Sequence, residues 1–209
     1  AFDRAAAEFI AAQRANAERP EARTTLGNFL ARRGLAQEAE AEYRAALRLS
    51  PQFATAAINL ADLYRQGGRD REGEMALREA LAVSPREAAL HHALGLTLTR
   101  LKQPDDALAE LKKSTDLAPD QPRYAYVYAV ALHSGGRREE AIAVLKEMLK
   151  VHPGHREILQ ALIAFSRLTG NAKDALDYVI EQTGRYPFFL QVWGSHCWDA
   201  AQKSPITLA

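Results

Sequence analysis

Pro51, Pro85, Pro119, Pro153 and Pro187 follow one another at intervals of 34 residues. Five of the nine prolines therefore fall on a single period. A fixed period between about 20 and 50 residues marks a chain of stacked units, each of which buries its apolar face only against its neighbours. Such a chain does not build one closed core. Its length sets the number of units rather than the number of conventional domains.

The other positions keep the same register. When each unit is laid out with its proline at place 32, place 8 holds Gly27, Ala61, Gly95, Ala129 and Ile163. Place 20 holds Ala39, Gly73, Ala107, Ala141 and Ala175, and place 24 holds Tyr43, Leu77, Leu111, Leu145 and Val179. Small residues at places 8 and 20 allow two helices to approach closely, where a larger side chain would overpack by about 1–3 kcal/mol. Place 15 holds Gly34, Gly68, Lys102, Gly136 and Gly170. Glycine there suits the left-handed residue that ends a helix, so Lys102 is expected to cost about 1 kcal/mol locally. Pro104 can open the helix after it, where a missing N–H does no harm. The place-32 prolines stop the second helix of each unit.

These residues resemble the tetratricopeptide repeat family over positions 20–187. The resemblance implies an all-α fold, a right-handed superhelical solenoid of stacked helix-turn-helix repeats, with about twelve helices here. The units run 20–53, 54–87, 88–121, 122–155 and 156–189. Residues 1–19 read as the second helix of an incomplete repeat or as an N-terminal cap, and both readings stay open. Residues 190–209 read as a C-terminal capping helix over 190–202 followed by a tail, with Trp193 and Cys197 at places 4 and 8 of a sixth unit. Non-native sequence and a disordered tail are the other readings of that stretch.

Composition narrows the function. Lys and Arg number 27 against 26 Asp and Glu, a net charge of +1, which gives no support for nucleic-acid binding. The single cysteine, Cys197, excludes an internal disulfide and a cysteine-based zinc site. No apolar run reaches the 18 residues or so of a membrane span, so no membrane insertion is expected. The first residues lack the basic start and apolar core of a secretory signal. A cytoplasmic location is the expectation, or a periplasmic one if a signal was removed. The abundance of Ala and Arg points to a bacterial source.

Chemistry-bearing motifs are scarce. No phosphate loop, nucleophile elbow or His-Glu zinc helix occurs. His152 and His155 flank Pro153, but two histidines in a loop lack the further ligands that a metal needs. No catalytic residue, metal or cofactor is expected.

In the family, the first helices line a concave groove through places 2, 5, 6, 9, 12 and 13. The resemblance therefore implies a peptide-binding groove built from Asn28, Asn59, Asp62, Arg65, His92, Leu96, Arg100, Arg123, Tyr126, Val130, His133 and Arg167. Aromatic and arginine side chains are the usual anchors of protein interfaces. One variant, which clamps a peptide's C-terminal carboxylate, wants a Lys-and-Asn pair, then Asn, then a Lys-and-Arg pair. This chain offers Thr24 and Asn28, then Asn59, then Ala89 and Ala93. Both asparagines match and every cation is missing, so that mode is rejected; the asparagines can still bond an extended backbone. The leading expectation is a non-catalytic protein–protein interaction scaffold that binds a protein or peptide partner in the groove. The competing readings are a self-assembling structural protein joined through terminal helices near Phe2, Phe9 and Ala12, and a fragment of a larger multidomain protein. RNA recognition by a helical repeat code is the weakest reading, given the neutral charge.

Overall fold

The computed structural model describes residues 2–168 and, beyond them, Tyr178. The second helix of the fifth repeat, the capping helix and the tail with Trp193, Cys197 and Trp198 lie outside the described residues. Among the described residues there are ten α-helices and no strand. They are α1 (Phe2–Ala15), α2 (Pro20–Arg32), α3 (Ala36–Leu49), α4 (Ala54–Gln66), α5 (Asp70–Val83), α6 (Ala88–Arg100), α7 (Pro104–Leu117), α8 (Pro122–Ser134), α9 (Arg138–Val151) and α10 (Arg156–Leu168). The fold is an all-α solenoid of stacked helix pairs.

Local chemistry sets the helix ends. Proline occupies the first turn of α2 and α7, where its fixed φ is already helical and its missing N–H has no intrahelical partner to lose. Carboxylates sit in the first turn of α2, α3, α5, α7, α9 and α10. Arginines close α2, α3, α4 and α6. Both placements complement the helix dipole.

The turns inside the pairs share one hydrogen-bonding plan. The N–H of Leu35 donates to Leu30 O, that of Arg69 to Tyr64 O, that of Gln103 to Leu98 O and that of Arg137 to Leu132 O, at 2.8 to 3.0 Å. This six-to-one closure needs a left-handed residue just before the donor. Gly34, Gly68 and Gly136 supply it with φ of 76°, 71° and 81°. Lys102 is driven into the same region at φ 59°, because its turn closes with the same bonds as the glycine turns.

The chain divides into two compact units, Ala1–Ala131 and Leu132–Ala209. In the first, α2 pairs with α3, α4 with α5 and α6 with α7. The first and third of these pairs close where a small residue meets a large one. A Cβ added at Gly27 would lie 2.6 Å from the Tyr43 ring, and one at Gly95 would lie 2.6 Å from Leu111 Cγ. Between pairs, Ala39, Tyr43, Leu60, Tyr64 and Ala76 form one apolar cluster. Ala57, Leu77, Leu90, Leu94, Leu98 and Ala107 form the next. Helix α1 lies against α2, with the Phe9 and Phe29 rings 4.9 Å apart.

In the second unit α9 packs on α10. Leu145, Leu149, Ile158, Leu159 and Leu162 are buried there. The Tyr178 hydroxyl donates to Lys146 O at 3.1 Å.

Candidate functional site

The residues expected to line a groove come from the first helix of each pair. In the first unit α2 touches α4, and α4 touches α6. The first ten residues of α8 reach α6 through the rings of His92 and Tyr124, 4.6 Å apart. Ten of the twelve expected lining residues, Asn28 to Val130, belong to this unit. Asp62, Arg65, Leu96, Arg100 and Arg123 are exposed, and Asn28, Asn59, Tyr126 and Val130 are half-buried.

The structure brings Asn28 and Asn59 together. Asn59 Nδ2 donates to Asn28 Oδ1 at 2.8 Å, and the Tyr43 hydroxyl donates to the same oxygen at 2.7 Å. Two donors on one oxygen orient the Asn28 amide. The Asn28 NH2 group and the Asn59 carbonyl oxygen are then left without a partner among the described residues. A donor group on one helix pair and an acceptor on the next therefore remain unused. Tyr43 did not figure in the expected site. Its signal in the sequence is that place 24 is aliphatic in the other four units and carries a hydroxyl only here. Burial raises the pKa of Tyr43 and outweighs the opposing charge of Arg32, with Asp62 adding to the rise, so the phenol stays a donor at neutral pH.

Two of the arginines expected on the face, Arg65 and Arg100, are already engaged. Arg65 pairs with Asp62 at 2.9 Å, one turn earlier on α4. Arg100 Nε and Nη2 donate to the two oxygens of Asp70 at 2.7 and 3.1 Å. Those bonds hold the Asp70 carboxyl below its usual range. Arg123 makes no hydrogen bond or ion pair among the described residues.

His92, expected on the lining, is only 7% exposed. Neither ring nitrogen has a hydrogen-bond partner among the described residues. Burial, and then the charge of Arg123, lower its pKa from 6.5 to about 4. Tyr124, three residues into the next first helix, covers the ring, which is why place 5 does not reach the surface here. Its neighbour His91 is equally buried but engaged on both sides. Nδ1 meets the Glu110 carboxylate and Nε2 meets Pro85 O at 3.0 Å. Burial pushes the Glu110 carboxyl upward, but hydrogen bonds from Lys113 and His91 outweigh it and hold the group below its ordinary value.

In the second unit His133 is half-buried and stacks on Phe165 with ring centroids 4.0 Å apart. Arg167 is exposed at the end of α10. Among the described residues no group of three or more His, Cys, Asp or Glu side chains could hold a metal ion. No described helix is long and apolar enough to cross a membrane.

A family model for the tetratricopeptide repeat matches residues 10–152. No curated protein matches the chain. Among solved structures, the chain is similar to a crystal structure of MamA protein at 16% identity, with 91% of this chain and 97% of that one covered and a TM-score of 0.63. It is also similar to YrrB, described as a TPR protein with an unusual peptide-binding site, at 23% identity, 89% and 97% coverage and a TM-score of 0.59. A third likeness is to MamA from Desulfovibrio magneticus RS-1, at 17% identity, 79% and 94% coverage and a TM-score of 0.61.

Proposed function

The chain belongs to the tetratricopeptide repeat family, and from that premise we propose that it is a non-catalytic scaffold that binds an extended peptide or protein segment along the face of α2, α4 and α6. The observation that carries this reading is the Asn28–Asn59 pair. Its unused NH2 group and carbonyl oxygen match the carbonyl and N–H of a peptide backbone, which every extended segment offers whatever its sequence. Fixing both amides before binding lowers the entropic cost of association. Leu96, 37% exposed, and half-buried Tyr126 and Val130 supply the apolar contacts. The ion pairs of Arg65 and Arg100 leave Arg123 as the cation best able to meet an acidic residue of the partner. The family is one of protein-binding scaffolds in general, and the scarcity of catalytic motifs fits that use. YrrB is described as having an unusual peptide-binding site, and the same use is proposed here.

Selecting extended peptides from a displayed library against the whole chain, then titrating them by calorimetry, tests the proposal. Asn28→Ala and Asn59→Ala should each weaken the selected peptides by about 1–2 kcal/mol, the value of a hydrogen bond in a desolvated interface. Equal binding by both variants, with helicity unchanged, would place the site elsewhere.

A further inference from the structure

A pocket of about 410 Å³ opens between the second helices α3 and α5, over Leu60 and Tyr64 of α4. Its apolar lining includes Leu47, Met75 and Val83. Met75 is 62% exposed and Val83 is 51% exposed. Exposed apolar residues at place 30 recur along the chain, since Leu49 and Val151 are also open, so Val83 alone signals little. Met75 is different. It stands at place 22, where the first, third and fourth units carry Ala41, Ala109 and Ala143, all exposed. Only the second of these four units spends a large, adaptable apolar side chain on that open place.

The walls carry charge as well. Arg48 on α3 and Glu79 on α5 both line the pocket, both are exposed, and neither has an ion-pair partner among the described residues. Most other charged groups nearby are satisfied. Arg44 is held by Glu40 and Tyr64, and Arg78 by Glu74. One free cation and one free anion therefore flank a single apolar cleft, on opposite walls. A surface with both signs across an apolar strip is its own complement under a two-fold rotation, the operation that relates the copies of most homodimers. The near-zero net charge of the chain puts little long-range repulsion between identical copies.

We propose that this cleft is the contact by which the chain pairs with a second copy of itself. Met75 of each copy enters the pocket of the other, and Arg48 of each meets Glu79 of its partner. The contact uses none of the side chains assigned to the α2–α4–α6 face. Its success or failure is therefore separate from that of peptide binding.

Sedimentation velocity on the whole chain, from roughly 1 to 100 micromolar, a range in which moderate homodimers dissociate, reads the equilibrium directly. The native chain should dimerise. Arg48→Glu alone, and Glu79→Arg alone, should each weaken dimerisation by about tenfold or more, because each sets like charges opposite one another. The decisive arm is the mixture. When the two variants are combined, the introduced glutamate of one chain faces the introduced arginine of the other. At the second contact the native arginine and the native glutamate meet as before. Both contacts then carry opposite charges, so heterodimers should recover the native strength. Met75→Ala should weaken the dimer without rescue by mixing. A native chain that stays monomeric throughout overturns the proposal. So does a dimer indifferent to both reversals, a loss that mixing fails to repair, or a dimer unchanged by Met75→Ala. All three positions are exposed, and circular dichroism establishes that each variant keeps its helices.

Discussion

Gly95→Ala and Gly73→Ala make the same chemical change at two helix seams, and the structure assigns them opposite signs. In both, alanine gains about 1 kcal/mol of intrinsic helix propensity. At Gly73 the added Cβ meets the Ala61 carbonyl oxygen at 3.4 Å and Ala61 Cβ at 3.7 Å, ordinary contact. The propensity gain survives there, and Gly73→Ala should stabilise by about 0.5–1 kcal/mol. At Gly95 the Cβ would lie 2.6 Å from Leu111 Cγ, 2.8 Å from Cδ2 and 3.2 Å from the Ala107 carbonyl oxygen. Carbon contacts are most favourable at about 3.5–4.0 Å, so the seam must open by nearly an ångström. Leu111 is 1% exposed and cannot swing into solvent, and the carbonyl belongs to the backbone of α7. Overpacking of this kind costs about 1–3 kcal/mol, which exceeds the propensity gain and leaves Gly95→Ala destabilised by about 1 kcal/mol. Urea unfolding followed by far-ultraviolet circular dichroism measures both. A cycle with Leu111→Ala isolates the clash: the leucine truncation should cost about 2–5 kcal/mol alone and visibly less on the Gly95→Ala background. A Gly95→Ala chain at least as stable as the native one, or a strictly additive cycle, would refute the steric account of the α6–α7 seam.

Acid should find His92 first. In the unfolded chain it takes a proton near 6.5, but in the fold only near 4, so its contribution is complete above about pH 6.5 and drains away as pH falls toward 4. At about 1.4 kcal/mol per unit this amounts to about 3 kcal/mol. His92→Phe, which keeps a ring against Tyr124, should flatten the stability profile between pH 6.5 and 4.5; an unchanged slope there would show that other groups set it. Lys102→Gly should stabilise by up to about 1 kcal/mol by relieving the left-handed backbone, and a loss in thermal melts would mean that the lysine side chain contributes more than its strain. Arg100→Ala should have a small effect that fades in about 1 M salt, since the Asp70 pair is exposed and screened; a salt-independent loss would point instead to packing by the arginine stem.

The helix register was legible because steric rules act at fixed places. The small residues at places 8 and 20 and the glycines before each closing bond could be read one unit at a time. Lys102 could be placed in the left-handed region by the same logic, and it is found there. The seam at Gly95 follows from that register, and Leu111 sits against it. Less could be read about the polar face. Arg100 is claimed by Asp70, 30 residues earlier, and His92 is covered by Tyr124 from the next helix pair. Neither partner is specified by a repeat pattern, because a repeat averages over the differences between units. Tyr43 and Met75 were hidden for the same reason. Each departs from its own column, and only the geometry shows what the departure touches.

The spans of the side-chain ties have a consequence for how the chain comes to be folded. The Asn59 to Asn28 bond bridges 31 residues, Arg100 to Asp70 bridges 30 and Arg69 to Glu40 bridges 29. In the first unit these links reach back about one repeat, so loop closure is equally cheap at every step. Topologies this local fold within microseconds to milliseconds, while a ribosome adds only about 5–20 residues per second. Each helix pair can therefore dock on its predecessor well before the following one has been synthesised, and the growing chain never waits for its far end.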